Sequence, residues 1–165
     1  MAVSHFTQFI ILRKIQPMKK VARYYDILIM EDRPADIRLI QEALGEVDEK
    51  INISVAMDGE EGLDFLYKKD KYNNAPTPDL IFLDLHMPKK EGKEVLRVVK
   101  NDDNLKAIPI IVLTNSYHPN EIMEVYKLHA NAYVHKPLDF DDFRKAISTI
   151  VSFWLSTAEI PPKTD

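Results

Sequence analysis

The chain has no cysteine, four glycines, one tryptophan and no long hydrophobic run in its 165 residues. Without cysteine there is no disulfide scaffold, thiolate zinc site, cysteine-ligated cluster or cysteine nucleophile. This absence also suits a reducing compartment. The first apolar patch, Phe9 to Leu12, is far shorter than the roughly 18 residues a membrane span needs. It also fails as a secretory signal, because its basic residues follow the apolar patch instead of preceding it. A cytoplasmic protein with no membrane contact is expected. The four glycines, Gly45, Gly59, Gly62 and Gly92, do not form a phosphate-cradling loop, so a nucleotide or flavin domain is disfavoured. Nor is there an excess of positive charge: 22 basic residues face 26 acidic ones. Five of the basic residues fall within residues 1–24, where no acidic residue occurs, which leaves 17 against 26 in the remainder. A basic arm on an acidic body is not the profile of a nucleic-acid-binding domain.

What is present is 45% apolar composition, enough for one domain of this length to bury a core without staples. Tyr24–Met30, Leu80–Leu85 and Pro109–Leu113 read as strands, with Ile51–Ala56 and Asn131–His135 as weaker ones. Runs this apolar suit parallel strands covered on both faces. The intervals read as helices. Pro34 opens one at a first-turn position, with Ile37, Ile40, Leu44 and Val47 at helical spacing. Asp58 with Glu61 forms a cap pair for the next. Residues 91–101 carry Val95, Val98 and Val99, and Pro119 opens a pattern with Ile122, Val125 and Tyr126. Asp139 or Asp141 opens the last, whose stripe is Phe143, Ile147, Ile150, Val151 and Trp154. Alternating strands and helices give an α/β fold, a doubly wound five-stranded parallel sheet flanked by five helices.

The expected organisation is a basic extension over residues 1–23, a domain over 24–155 and a loose tail over 156–165. Met18 is an internal methionine and is read as an alternative start, which would make residues 1–17 non-native. Phe153, Trp154 and Leu155 in succession cannot all face inward on a helix. A homodimer or partner contact at the last helix is therefore expected.

Ligands of open parallel sheets bind beyond the carboxyl ends of the strands. The first strand ends in Glu31 and Asp32, the third runs into Asp84, the fourth ends in Thr114 and the fifth ends in Lys136. Unit charges 4 Å apart interact by about 4 kcal/mol at an effective dielectric near 20, so three clustered carboxylates call for a cation. Oxygen ligands with retained water favour Mg²⁺ over zinc. One carboxylate beside such a cation can act as a nucleophile toward a phosphoryl group, with an ammonium sharing the charge. The histidines, His5, His86, His118, His129 and His135, have no ligand spacing for zinc.

Glu31-Asp32, Asp84 in FLDLHMP, Thr114 in IVLTNS and Lys136 in YVHKP resemble the response-regulator receiver domain of two-component signalling. The resemblance covers residues 25–155. The spacings agree, 30 residues from Asp84 to Thr114 and 52 from Asp84 to Lys136. The opening EDRPADIRLIQEAL and the closing IVSFWL resemble single-domain regulators paired with phytochrome-type histidine kinases. The resemblance implies a flavodoxin-like strand order, 2-1-3-4-5. It implies Asp84 as phosphoacceptor, and Glu31, Asp32, Asp84 and the His86 backbone carbonyl around Mg²⁺. Lys136 would contact the phosphate and be followed by a cis peptide to Pro137. Thr114 and Tyr133 would be the switch pair, the ring turning inward when the threonine moves. His86 and Ser116 would tune the phosphate lifetime.

Glu31 stands where Asp is commoner, and Asn115 is bulkier than the usual small residue. The function so implied is a stand-alone regulator phosphorylated by a histidine kinase, with no reaction beyond its own phosphorylation and dephosphorylation. Two alternatives are an inactive docking receiver and a phosphohydrolase of the haloacid dehalogenase type. The latter expects its nucleophile on an early strand and an Asp two residues on, where this chain has His86.

Overall fold

The computed structural model describes residues 23–47 and 50–163. Five strands and five helices alternate: β1 (Tyr25–Met30), α1 (Pro34–Gly45), β2 (Ile51–Ala56), α2 (Gly59–Leu66), β3 (Leu80–Asp84), α3 (Gly92–Asn101), β4 (Ile110–Thr114), α4 (Pro119–Lys127), β5 (Ala132–His135) and α5 (Phe140–Ser152). A 3₁₀ turn, Asp70–Tyr72, interrupts the loop before β3, and a π turn, Phe153–Thr157, continues α5. All strand pairs are parallel, in the order β2-β1-β3-β4-β5. The expected fold class and strand order are those observed.

Successive residues of a strand face opposite sides of the sheet, and the core divides accordingly. Leu28, Met30, Ile81, Leu83, Ile110 and Val112 pack with Leu63, Val95, Val99 and Val125 of α2, α3 and α4. Ile27, Ile29, Leu80, Phe82, Ile111 and Leu113 pack with Ile40, Leu44, Phe143, Ile147 and Val151 of α1 and α5. Both faces of the sheet are covered, which is why the strands read as unbroken apolar runs.

The helix starts follow local chemistry. Pro34 occupies the first turn of α1. The Asp58 carboxylate accepts the Glu61 N–H at 2.8 Å, capping α2, and Asp139 accepts the Asp142 N–H at 3.0 Å, capping α5. Glu91 and Glu94 form a reciprocal capping box on α3. Asp139, and not Asp141, is therefore the residue that opens the last helix.

Several boundaries differ from expectation. Tyr24 lies outside β1 and is exposed. β3 stops at Asp84, and β4 is shifted one residue onward, because Pro109 has no N–H to give to the ladder. Only Val125 of α4 is buried, while Tyr126 is exposed. Residues 158–163, expected to be loose, run back to the amino-terminal end of the sheet. Ile160 packs against the α1–α5 core there, and Lys163 pairs with Asp26 at 2.5 Å and with Asp79 at 3.2 Å. Arg23 pairs with the other oxygen of the same buried Asp79, at 3.1 Å. The readings of residues 1–22, including the alternative start at Met18, lie outside the described residues.

Candidate functional site

The parallel ladders bring the carboxyl ends of β1, β3, β4 and β5 to one edge of the sheet. The pairing continues past the strand ends: the Glu31 N–H donates to the Ala56 carbonyl at 3.0 Å, and the Lys136 N–H to the Thr114 carbonyl at 2.8 Å. Residues just outside the strands are thus fixed as firmly as those inside.

Glu31, Asp84 and Lys136 are all buried. The Lys136 ammonium donates to Glu31 Oε2 at 2.5 Å, to Asp36 Oδ2 at 2.9 Å and to Asp84 Oδ2 at 3.1 Å. Its three protons thus meet three carboxylates. Burial lowers the Lys136 pKa, but Glu31 and Asp84 more than offset this, and the net direction is upward. For Glu31 burial dominates and pushes its carboxyl up to about 7, against the opposing pull of Lys136 and with the help of Asp84. The Arg33 N–H donates to the other Glu31 oxygen at 3.1 Å.

Glu31, Asp32 and Asp84 each offer one carboxylate oxygen, and the three oxygens lie within 4.8 Å of one another. Asp32 Oδ1 is buried without a hydrogen-bond donor. A buried carboxylate oxygen with no donor is costly, and a hard cation is the partner that satisfies it together with its two neighbours. The donor set, oxygen only, fits a divalent ion of the magnesium or manganese kind.

Thr114 ends β4, one position beyond Leu113, which is paired with Asp84. It is fully buried, and its Oγ1 accepts the Ser116 N–H at 3.2 Å. Tyr133 is half-buried on the α4 side of the sheet, and its hydroxyl proton is shared between the Ser116 carbonyl at 2.8 Å and Glu121 Oε1 at 3.0 Å. Burial, reinforced by Glu121, pushes the Tyr133 hydroxyl pKa up. The Asn115 carbonyl lies 3.1 Å from His135 Nε2, whose ring stacks on Tyr117.

The structure therefore brings Glu31, Asp32, Asp84 and Lys136 together, and joins Thr114 to Tyr133 through Ser116. The His86 N–H donates to Asp84 Oδ1 at 3.2 Å, while its ring is exposed and lies 3.8 Å from Glu121.

One expectation is corrected. The described residues contain no cis peptide, so the Lys136–Pro137 bond is trans. The two forms differ by only about 0.5–1 kcal/mol before proline, so the local sequence leaves the choice to the fold.

Two site residues were not singled out from the sequence. Asp36 lies in the first turn of α1, four residues before Ile40, whose apolar stripe faces the sheet. That spacing was a usable signal for its position. Glu121, in the first turn of α4, gave none, because that helix buries only Val125 and has no buried apolar stripe to fix which way its acidic residues face.

The chain matches the family described as the response regulator receiver domain over residues 27–148. It is 41% identical over 135 residues to the response regulator Rcp1 of Synechocystis sp., covering 82% of this chain and 92% of that protein. The crystal structure of the Mn²⁺-bound form of Rcp1 superposes with a TM-score of 0.81 at 40% identity, covering 84% of this chain and 99% of the other. That of the phosphorylated cyanobacterial phytochrome response regulator RcpA gives a TM-score of 0.83 at 41% identity, covering 85% and 100%.

Proposed function

We propose, since the chain belongs to the response regulator receiver family, that it works as a stand-alone regulator phosphorylated on Asp84 by a histidine kinase of the phytochrome type. The observation that supports this most directly is the meeting of Lys136 with Glu31 and Asp84 beside the donorless oxygen of Asp32. Asp84 supplies the attacking oxygen. A carboxylate oxygen bonds to phosphorus, the phosphorus–nitrogen bond of the donor phosphohistidine breaks, and the departing imidazole nitrogen keeps the electron pair. Lys136 is already within 3.1 Å of the acceptor and neutralises charge on the transferred group. A Mg²⁺ held by Glu31, Asp32, Asp84 and the His86 carbonyl would supply the remaining positive charge.

Hydrolysis of the same bond returns Asp84 to its carboxylate, so the only chemistry is the protein's own phosphorylation and dephosphorylation. His86 and Ser116, on the loops that follow Asp84 and Thr114, tune the lifetime of the phosphoryl group. Thr114 turns its hydroxyl toward the phosphoryl oxygens, and Tyr133 follows through Ser116. The output is a changed protein-docking face. Phe153 is exposed beside buried Leu155, and a second copy of the chain is the partner we assign to that end of α5. Sedimentation that finds a monomer at high concentration in both phosphorylation states would remove this dimer.

The deciding experiment treats the protein and its Asp84→Asn variant with acetyl phosphate, with and without Mg²⁺, on a phosphate-affinity gel. A Mg²⁺-dependent shifted band absent from the variant is expected. No band, together with no stable beryllofluoride complex, would leave an inactive docking receiver.

A further inference from the structure

The two hydroxyls assigned to the switch are tied to opposite ends of one residue. Ser116 gives its N–H to Thr114 Oγ1 at 3.2 Å and receives the Tyr133 hydroxyl on its carbonyl at 2.8 Å. If Thr114 is drawn toward a phosphoryl group, Ser116 loses the bond that places it. The Tyr133 ring is then held by its second acceptor alone, Glu121 Oε1 at 3.0 Å.

Glu121 is well placed for this. Its side chain is only 12% exposed, and the first turn of α4 is a favourable place for an acidic group. The helix carrying it is anchored by buried Val125 and joined to α3 by the Lys93–Glu124 pair at 3.1 Å, apart from the loop that holds Ser116. Its other oxygen faces His86, 3.8 Å away and two residues beyond Asp84. The hydroxyl has one proton for two acceptors; the Ser116 carbonyl is the nearer, at 2.8 Å, and the Glu121 carboxylate, at 3.0 Å, is the stronger acceptor that takes the proton when Ser116 shifts.

We infer that Glu121 is the positioning residue that latches the Tyr133 hydroxyl in the resting state and so sets how readily the aromatic ring leaves it. The inference rests on the switch reading of Thr114 and Tyr133. Coupling between two sites is reciprocal. Weakening the latch therefore favours the phosphorylated arrangement before any phosphoryl group is present, and Asp84 becomes easier to phosphorylate.

The test uses the full chain labelled with 3-fluorotyrosine, with Tyr133→Phe to assign its ¹⁹F resonance. In Glu121→Ala without a phosphodonor, the Tyr133 resonance is expected to move toward its position in beryllofluoride-treated wild type. Phosphorylation by acetyl phosphate is expected to be faster in the same variant. Glu121→Gln keeps an acceptor oxygen and is expected to stay near the wild-type position. Glu124→Ala, which loosens the same helix without touching the ring, is expected to leave the resonance in place.

An unmoved resonance in Glu121→Ala, or an equal movement in Glu124→Ala, overturns the latch. If Glu121→Ala fails to fold, the milder shift and faster phosphorylation of Glu121→Leu are read instead, with the same outcomes. A wild-type resonance that ignores beryllofluoride overturns the switch reading, a failure seen separately from that of the latch.

Discussion

At the scale of single residues, Lys136 holds together a site that would otherwise repel itself. Three carboxylates converge on one buried ammonium. Removing one partner of a buried ion pair costs about 3–5 kcal/mol, because it strands the opposite charge. Lys136→Met should lose stability of that order in urea melts without metal. It should regain more on adding Mg²⁺ than wild type does, since a cation replaces the missing charge; equal gains would show that the carboxylates do not depend on the lysine. Gly92 acts through space alone. A Cβ there would lie 2.1 Å from the Asp84 carbonyl oxygen and 2.7 Å from Leu85 Cα, both backbone atoms. Gly92→Ala must push α3 away from the end of β3, a crowding that costs about 1–3 kcal/mol. Its melting temperature and its rate of phosphorylation on Asp84 should fall together.

At the scale of elements, the period of two along the strands separates the parts of the site. Continued past the strand ends, the alternation places Glu31, Asp84 and Lys136 in step with the residues facing α1 and α5, and Thr114 and Tyr133 in step with those facing α4. The contacts agree: Lys136 reaches Asp36 on α1, and Tyr133 reaches Glu121 on α4. Asp84 and Lys136 thus fall in step with one face of the sheet, and Thr114 and Tyr133 with the other. The start of α2 shows how an element is held by charge. Glu61 receives the Tyr72 hydroxyl at 2.6 Å, the Met57 N–H at 2.8 Å and the Lys71 ammonium at 2.9 Å. These bonds, the Tyr72 hydroxyl foremost, lower its carboxyl from 4.5 to about 2. A carboxyl depressed on folding stabilises the native state above its unfolded pKa, and that contribution is lost as pH falls from about 4.5 through about 2. Glu61→Gln should therefore cost more stability at pH 6 than at pH 3, measured by denaturant midpoints; a cost independent of pH would deny the carboxylate this role. The strands and most helix starts were legible in the sequence because each depends on neighbours in the chain: apolar runs, Pro34, Asp58 and Asp139. Asp36 on Lys136 and Lys163 on Asp26 were not, because partners 100 and 137 residues apart meet only after the sheet has formed.

At the scale of the whole molecule, the site and residues 23 and 163 lie at opposite ends of the sheet. The carboxyl ends of the strands carry the acidic group, while Asp79, just before β3, collects Arg23 and Lys163 at the other end. Two side chains that share one carboxylate cannot have distant backbones. Residues 23 and 163 are therefore near enough for a short glycine-serine linker to join them. New ends can then be opened between Asn73 and Asn74, in the loop before β3, which contains none of the site residues. The rearranged chain should melt close to residues 23–163 in their native order and still be phosphorylated on Asp84; a large drop in melting temperature would show that the loop carrying Tyr72 must be continuous to hold Glu61. The Asp79 pairing thus makes this protein a candidate for circular permutation, with phosphorylation as its readout.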